Sequence, residues 1–378
     1  MGSAGFFVIP AESGYIVTMA KLDAESTSAS LGYRPSLDGL RGLSILGVMA
    51  YHSGLISGGY LGVDVFFVLS GFLITTLLVE EHQRQGRVSF RRFYMRRALR
   101  LLPALFATVG ICASAELAFA SPEASQHTWG AVAAVVLYVA NWAMIAGHPL
   151  FVLGHTWSLA IEEQFYFVWP PSLVLLTRVV RRRGWILAMV AVGGVLVPAY
   201  RILLMSRGAS LLHLYVGLDA RADSLLIGCA VGLLIGWKML TPSPRFRVAS
   251  RIAAIAATLT LAYLFVEATW PKDYLFHATS TITSIATALL IVKLFMAPSK
   301  FDCVLEGSPL VGLGRISYGL YLWHYPIFYV FGALNVPGVF PSPSRIPAAW
   351  LATLVIATAS FLVLERPVLR LKRHFSAS

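Results

Sequence analysis

The sequence predicts an all-α, polytopic membrane protein of about ten transmembrane helices with one additional re-entrant or interfacial helix. Three observations carry that expectation. Of 378 residues, 57% are hydrophobic and 13% charged, and the mean hydropathy is +0.72, whereas a soluble domain is roughly 25% charged. Apolar stretches close to the ~20 residues that a bilayer crossing requires recur along the whole chain. The 30 Lys and Arg outnumber the 18 Asp and Glu by +12, and the excess sits in short clusters between those stretches. That is the pattern of cytoplasmic loops rather than of a nucleic-acid binder.

Taken in order, residues 1–34 are Ser-rich and lack both the basic start and the long apolar core of a signal peptide, so they read as a disordered cytoplasmic tail. Spans are expected near 37–56, 59–80, 99–120, 155–177, 185–205, 219–237, 252–269, 277–296, 316–335 and 347–364. The loop from Arg84 to Arg100 holds seven arginines in seventeen residues, which places it in the cytoplasm. A further apolar stretch, 131–147, decides the rest of the threading. If it crossed, Arg178, Arg181, Arg182 and Arg183 and every later basic loop would fall outside. If it is re-entrant or interfacial, those arginines, the loop with Lys238, Arg245, Arg247 and Arg251, and the basic tail over 368–378 all lie inside. The second threading gives one transmembrane domain over 35–367, both termini cytoplasmic, and no hydrophilic segment long enough for another domain. No internal repeat of the transporter kind is visible. Cys112, Cys229 and Cys303 are unrelated in spacing, which excludes a disulfide framework and a zinc knuckle.

Ionisable side chains inside a span are costly and point to a bundle interior with a function. Arg41 and His52 are eleven residues apart, three turns plus about 20°, so they share a face of the first span with a rise of roughly 16 Å between them. A snorkelling arginine and a satisfied histidine are the bland alternative. In HTWSLAIEEQFYFVWPP (155–171), His155, Glu162 and Tyr166 fall on one face, and Glu163 points about a quarter turn away. Two buried carboxylates call for partners from other spans, either in a site or in an ion pair between helices. Asp219, Arg221 and Asp223 alternate in sign at a span's start and read foremost as a helix-end salt bridge. Ser317, Tyr321 and His324 form a polar stripe at i, i+4 and i+7, as in a wet cavity or an interfacial belt. The arginine loop is equally a topology signal that attracts anionic lipid and a phosphate dock.

The segments SLDGLRGLSILGVMAYH (36–52), GGYLGVDVFFVLSGFLI (58–74), RRFYMRRALRLLP (91–103), HTWSLAIEEQFYFVWP (155–170), RADSLLIG (221–228), ISYGLYLWHYPI (316–327) and the late ERP (365–367) together resemble the acyltransferase-3 membrane proteins. Those proteins O-acylate sugars, polysaccharides and macrolide antibiotics. The resemblance implies a ten-span enzyme that takes its acyl group from acyl-CoA, acetyl-CoA foremost. The family's Arg and His look like Arg41 and His52, with His52 catalytic. Its arginine motif looks like Arg91, Arg92, Arg96 and Arg97, which would bind the donor, and its carboxylate looks like Glu162, with Glu163 beside it. Asp64, His155, Tyr166, Ser317, Tyr321 and His324 are then expected to line the substrate site. Many members carry an additional extracytoplasmic hydrolase-like domain, and this sequence is expected to lack it, looking like a stand-alone member.

Under that reading His52 acts as general base on the acceptor hydroxyl, since an imidazole titrates near neutral pH, or carries the acyl group covalently. Arg41 holds a phosphate or stabilises developing charge. No cluster has metal-ligand spacing, so no metal is expected. The expected partners are acyl-CoA, a hydroxylated acceptor and the lipid of the cytoplasmic (inner) membrane, with no nucleic acid. The oligomeric state stays open, a homodimer being one form. A transporter or channel also explains ten spans and buried charge, but not an arginine loop beside the histidine-bearing span. A lipid-binding structural protein explains the loop but leaves His52 and Glu162 idle.

Overall fold

A computed structural model describes residues 32–119, 122–269, 276–336 and 340–371, so the expected tails lie almost wholly outside the described residues. Its regular elements are helices. The chain runs through α1 (Pro35–His52), α2 (Gly62–Gln85), α3 (Phe90–Phe119), α4 (Pro122–Val136), α5 (Ala140–Ile145), α6 (Trp157–Val179), α7 (Arg183–Ser206), α8 (Leu211–Val216) and α9 (Leu218–Gly236). It continues through α10 (Pro244–Glu267), α11 (Phe276–Met296), α12 (Cys303–Glu306), α13 (Ser308–Arg315), α14 (Ser317–Val330) and α15 (Ile346–Ser360). A π-helical turn, Phe361–Glu365, leads into α16 (Arg366–Leu371). Local chemistry sets several ends. Pro35 opens α1 where its missing N–H costs nothing. Gly86, at φ 67°, closes α2 in the left-handed conformation. Ser243 caps α10 by accepting from the Phe246 amide.

Six helical stretches among the described residues are long and apolar enough to cross a bilayer: Gly59–Gln85, Phe90–Phe119, Arg183–Ser206, Pro244–Glu267, Ala278–Met296 and Pro343–Leu369. They coincide with six of the ten expected spans. The other four are helices too, α1, α6, α9 and α14, but each is short or carries charge. α14, at 14 residues, falls short in length, while α1, α6 and α9 carry charged side chains such as Arg41, Glu162 and Arg221. The 131–147 stretch is broken. It contributes the end of α4 and all of α5, separated at Tyr138 by a positive φ of 55°, and neither piece has the length of a span.

Packing at the centre is close. α2 lies against α9, and α1 against α13. A Cβ on Gly71 would collide with the carbonyl of Leu225, and one on Gly228 with the carbonyl of Val68, so the two backbones touch along this seam. Small residues commonly serve this purpose between membrane helices. Beside the seam lies a buried ion network. Arg221 donates to Asp64 at 2.8 Å and also bonds Ser280, while Ser224 donates to Asp64 at 3.1 Å. Arg201 donates to Asp223 at 2.7 Å and to the Ala220 carbonyl at 2.7 Å. These four charged side chains are at most 2% exposed, and they tie together α2, α7, α9 and α11. Asp64→Ala is expected to lower folding stability by about 3–5 kcal/mol, because it leaves the Arg221 charge buried without its partner. Thermal unfolding in detergent checks this, and an unchanged midpoint would contradict it.

Candidate active site

A cavity of about 110 Å³ opens among α1, α2, α3, α6 and α14. Arg41, Arg97 and Arg100 face it together with Ser70, Ser158, Glu162, Tyr166, Ser317, Tyr318 and Tyr321, against an apolar wall of Val63, Phe66, Phe67, Leu101 and Leu159. Helical register explains the arginine set. Arg97 and Arg100 are three residues apart on α3 and share a face, and Arg41 comes from the facing turn of α1. Arg97 is held by Glu163 at 2.6 Å and lies 3.4 Å from the centre of the Tyr166 ring. Among the described residues the ion pair of Arg41 is with Asp38, at 3.9 Å. Glu162 accepts a hydrogen bond from Ser70 at 2.7 Å. Three guanidinium groups therefore face a space lined by one carboxylate, a balance that favours an anionic guest with phosphate-like oxygens.

Tyr321 is the wall between this cavity and a second cluster. Its hydroxyl donates to the His155 carbonyl at 2.7 Å and lies 2.6 Å from Ser158 Oγ. The Tyr321 hydrogen is thus used on a carbonyl, and Ser158 donates to the phenol oxygen. On the far side its ring is 5.5 Å from the rings of both His155 and His324. There His324 Nε2 is 3.2 Å from His52 Nδ1. His155, on a 3₁₀ turn over Phe151–Thr156, stacks on Tyr325 at 5.0 Å and 17°. Tyr51 and Tyr325 set their rings at steep angles to His52, at 5.1 and 5.2 Å. His155 and His324 are buried, while His52, Tyr51 and Tyr325 keep part of their surface open. The far end of α1 is fixed by the Asn335 amide donating to the His52 carbonyl at 2.6 Å.

The structure thus brings Arg41, Arg97, Glu162, Tyr166, Ser317 and Tyr321 to one cavity, with Glu163 just behind Arg97. His52, His155 and His324 form a separate layer beyond Tyr321. Asp64 lines neither; it belongs to the ion network. Arg91 is exposed, Arg92 also stands apart from the cavity, and Arg96 pairs with Glu81 at 3.5 Å. Sequence reasoning left out Arg100, Ser70, Ser158 and Tyr318. For Arg100 the signal was present, since it shares the face of Arg97. The hydroxyl groups carry no pattern that separates them from ordinary helix residues. Among the described residues no group of three or more His, Cys, Asp or Glu is arranged to hold a metal ion.

Comparison with known proteins adds two findings. A family model described as an acyltransferase domain matches residues 34–365. The peptidoglycan O-acetyltransferase OatA of Listeria monocytogenes is 32% identical over 359 residues, covering 91% of this chain and 57% of its own length. The O-acetyltransferase OatA of Staphylococcus aureus is 32% identical over 349 residues, 89% of this chain and 57% of its own. The chain therefore spans a little over half the length of the curated relatives it matches. No solved structure matches it.

Proposed function

The chain belongs to the acyltransferase family, and from that premise we propose that it is a membrane-bound O-acyltransferase moving an acyl group from acyl-CoA to a hydroxyl of a carbohydrate acceptor. The observation that carries the reading is the two-ended site: an arginine-lined cavity, a tyrosine wall, and a partly open histidine beyond it. Arg41 and His52 are separated by a rise of roughly 16 Å along α1. A long thioester-bearing arm anchored by its phosphates covers that distance, and a compact acyl phosphate does not.

In this reading the acceptor hydroxyl gives its proton to His52 as its oxygen bonds to the thioester carbonyl carbon. The carbon–sulfur bond then breaks with its electron pair on sulfur, and the histidine returns the proton to the thiolate. Arg41, Arg97 and Arg100 hold the donor's phosphates, and Glu163 and Tyr166 keep Arg97 aimed at them. The opening framed by Tyr51 and Tyr325 receives the acceptor, whose sugar faces suit aromatic contact. Release of free thiol from acetyl-CoA by the purified protein, measured with and without a peptidoglycan-type glycan, is the direct test. An acceptor-dependent release is expected. Transport of the glycan with no thiol released would replace the enzyme by a carrier.

The same reading places the chain in the cytoplasmic membrane with ten crossings, both termini inside and α4 and α5 failing to cross. Reporter fusions after Arg183 and at the C-terminus are then expected to report the cytoplasmic side. An external signal at Arg183 would defeat this threading.

A further inference from the structure

His324 Nδ1 lies 2.7 Å from the Tyr321 carbonyl and 3.1 Å from the Leu320 carbonyl. A carbonyl only accepts, so this nitrogen carries a hydrogen. His324 is fully buried, and none of the ion pairs among the described residues supplies it with a carboxylate, so it holds one proton and its Nε2 is a bare acceptor. That acceptor faces His52 Nδ1 at 3.2 Å, and the same Nδ1 lies 3.1 Å from the Val48 carbonyl. Two acceptors converge on one nitrogen, so His52 Nδ1 must carry the hydrogen. Nε2, on the ring edge turned away from His324, is left with the lone pair. Part of the His52 surface is open.

We propose that His324 is a positioning residue that fixes the proton of His52 on Nδ1 and so presents Nε2 as the base toward the acceptor. The proposal rests on the reading of His52 as general base. A free histidine side chain favours the opposite tautomer, with hydrogen on Nε2, which cannot take a proton from a hydroxyl. His324 reverses that preference. After His52 takes the acceptor's proton, the same contact steadies the imidazolium, because the Nδ1 hydrogen still points at a lone pair. Neither histidine gains or loses a proton overall. The proton taken at Nε2 leaves with the thiol, and His324 stays neutral throughout.

The test separates acceptance from proton transfer by His324 itself. His324→Leu removes the acceptor, and kcat is expected to fall about tenfold to a hundredfold while KM for acyl-CoA stays unchanged. The loss is short of the ~10⁴ seen when a catalytic histidine loses its orienting partner entirely, because the Val48 carbonyl remains. His324→Gln places an amide oxygen near the lost lone pair, and recovery to within a few fold of wild type is expected. A Gln variant as inactive as the Leu variant would overturn the proposal, as would a Leu variant with wild-type kcat. Nitrogen-15 spectra of histidine-labelled wild-type protein in bilayers give a readout independent of folding in the variants. They are expected to show His52 protonated at Nδ1 alone, and hydrogen on Nε2 overturns the proposal. If instead His52→Ala turns over normally, the general-base reading itself has failed, whatever the spectra show.

Discussion

His52→Ala is expected to lower acyl transfer by about 10²–10⁴ while leaving the helices inserted, the usual cost of losing general acid/base chemistry. The expectation comes from the placement of His52. It ends α1, keeps part of its surface open, and sits beyond Tyr321 from the cavity, which is where the proposed reading brings thioester and hydroxyl together. Its side-chain contacts are to the Val48 carbonyl, to aromatic rings and to His324, with no ion pair among the described residues for the Ala variant to break. The stability cost should therefore be small beside the rate effect. Turnover numbers from thiol release, with the melting midpoint measured in parallel, check both halves. Wild-type turnover would remove His52 from the chemistry.

Arg97→Ala and Arg100→Ala are each expected to raise KM for acyl-CoA about ten- to a hundredfold, since a hydrogen bond to a charged group is worth about 1.5–3 kcal/mol. Arg41→Ala should behave alike. Arg91→Ala and Arg96→Ala are expected to change it by no more than about twofold, because neither side chain lines the cavity and Arg96 is turned to Glu81 at 3.5 Å. The scan is thus uneven by helical face. A uniformly small effect at Arg41, Arg97 and Arg100 would return these arginines to topology and lipid attraction. Arg97 should show a second signature, because its loss also leaves Glu163 without its partner at 2.6 Å. Some loss of stability is expected there and not at Arg100.

Much of this architecture is legible in one dimension because lipid imposes a simple rule on composition. The six long apolar helices stand where the hydropathy pattern sets them. The break at Tyr138 is different. Leu137, Tyr138 and Val139 include neither Gly nor Pro, so no residue type announces a left-handed turn. Tertiary contact sets it: Gln164 donates to the Tyr138 carbonyl at 2.7 Å and to Asn141 at 2.9 Å. The site divides along the same line. Spacing within a helix places Arg41 over His52, and Ser317 over Tyr321. It cannot tell that His324 meets His52 across 272 residues, or that Asp64 turns toward Arg221 instead of the cavity. Such pairings depend on how each helix is rotated in the bundle, and periodicity alone leaves that rotation free.

The backbone contact between Gly71 and the Leu225 carbonyl has a consequence for what the cavity admits. Ser70, the neighbouring residue, lines the cavity on another face of α2, so the helix that forms this wall is braced from behind and has no room to retreat. The volume offered to a guest bound at the arginines is therefore written in side chains, Val63, Phe66 and Phe67 on α2 and Leu159 on α6. A wider cavity would come from trimming those residues one at a time, with the scaffold unchanged. A Gly71 replaced by anything larger would instead unseat the α2–α9 pair behind that wall.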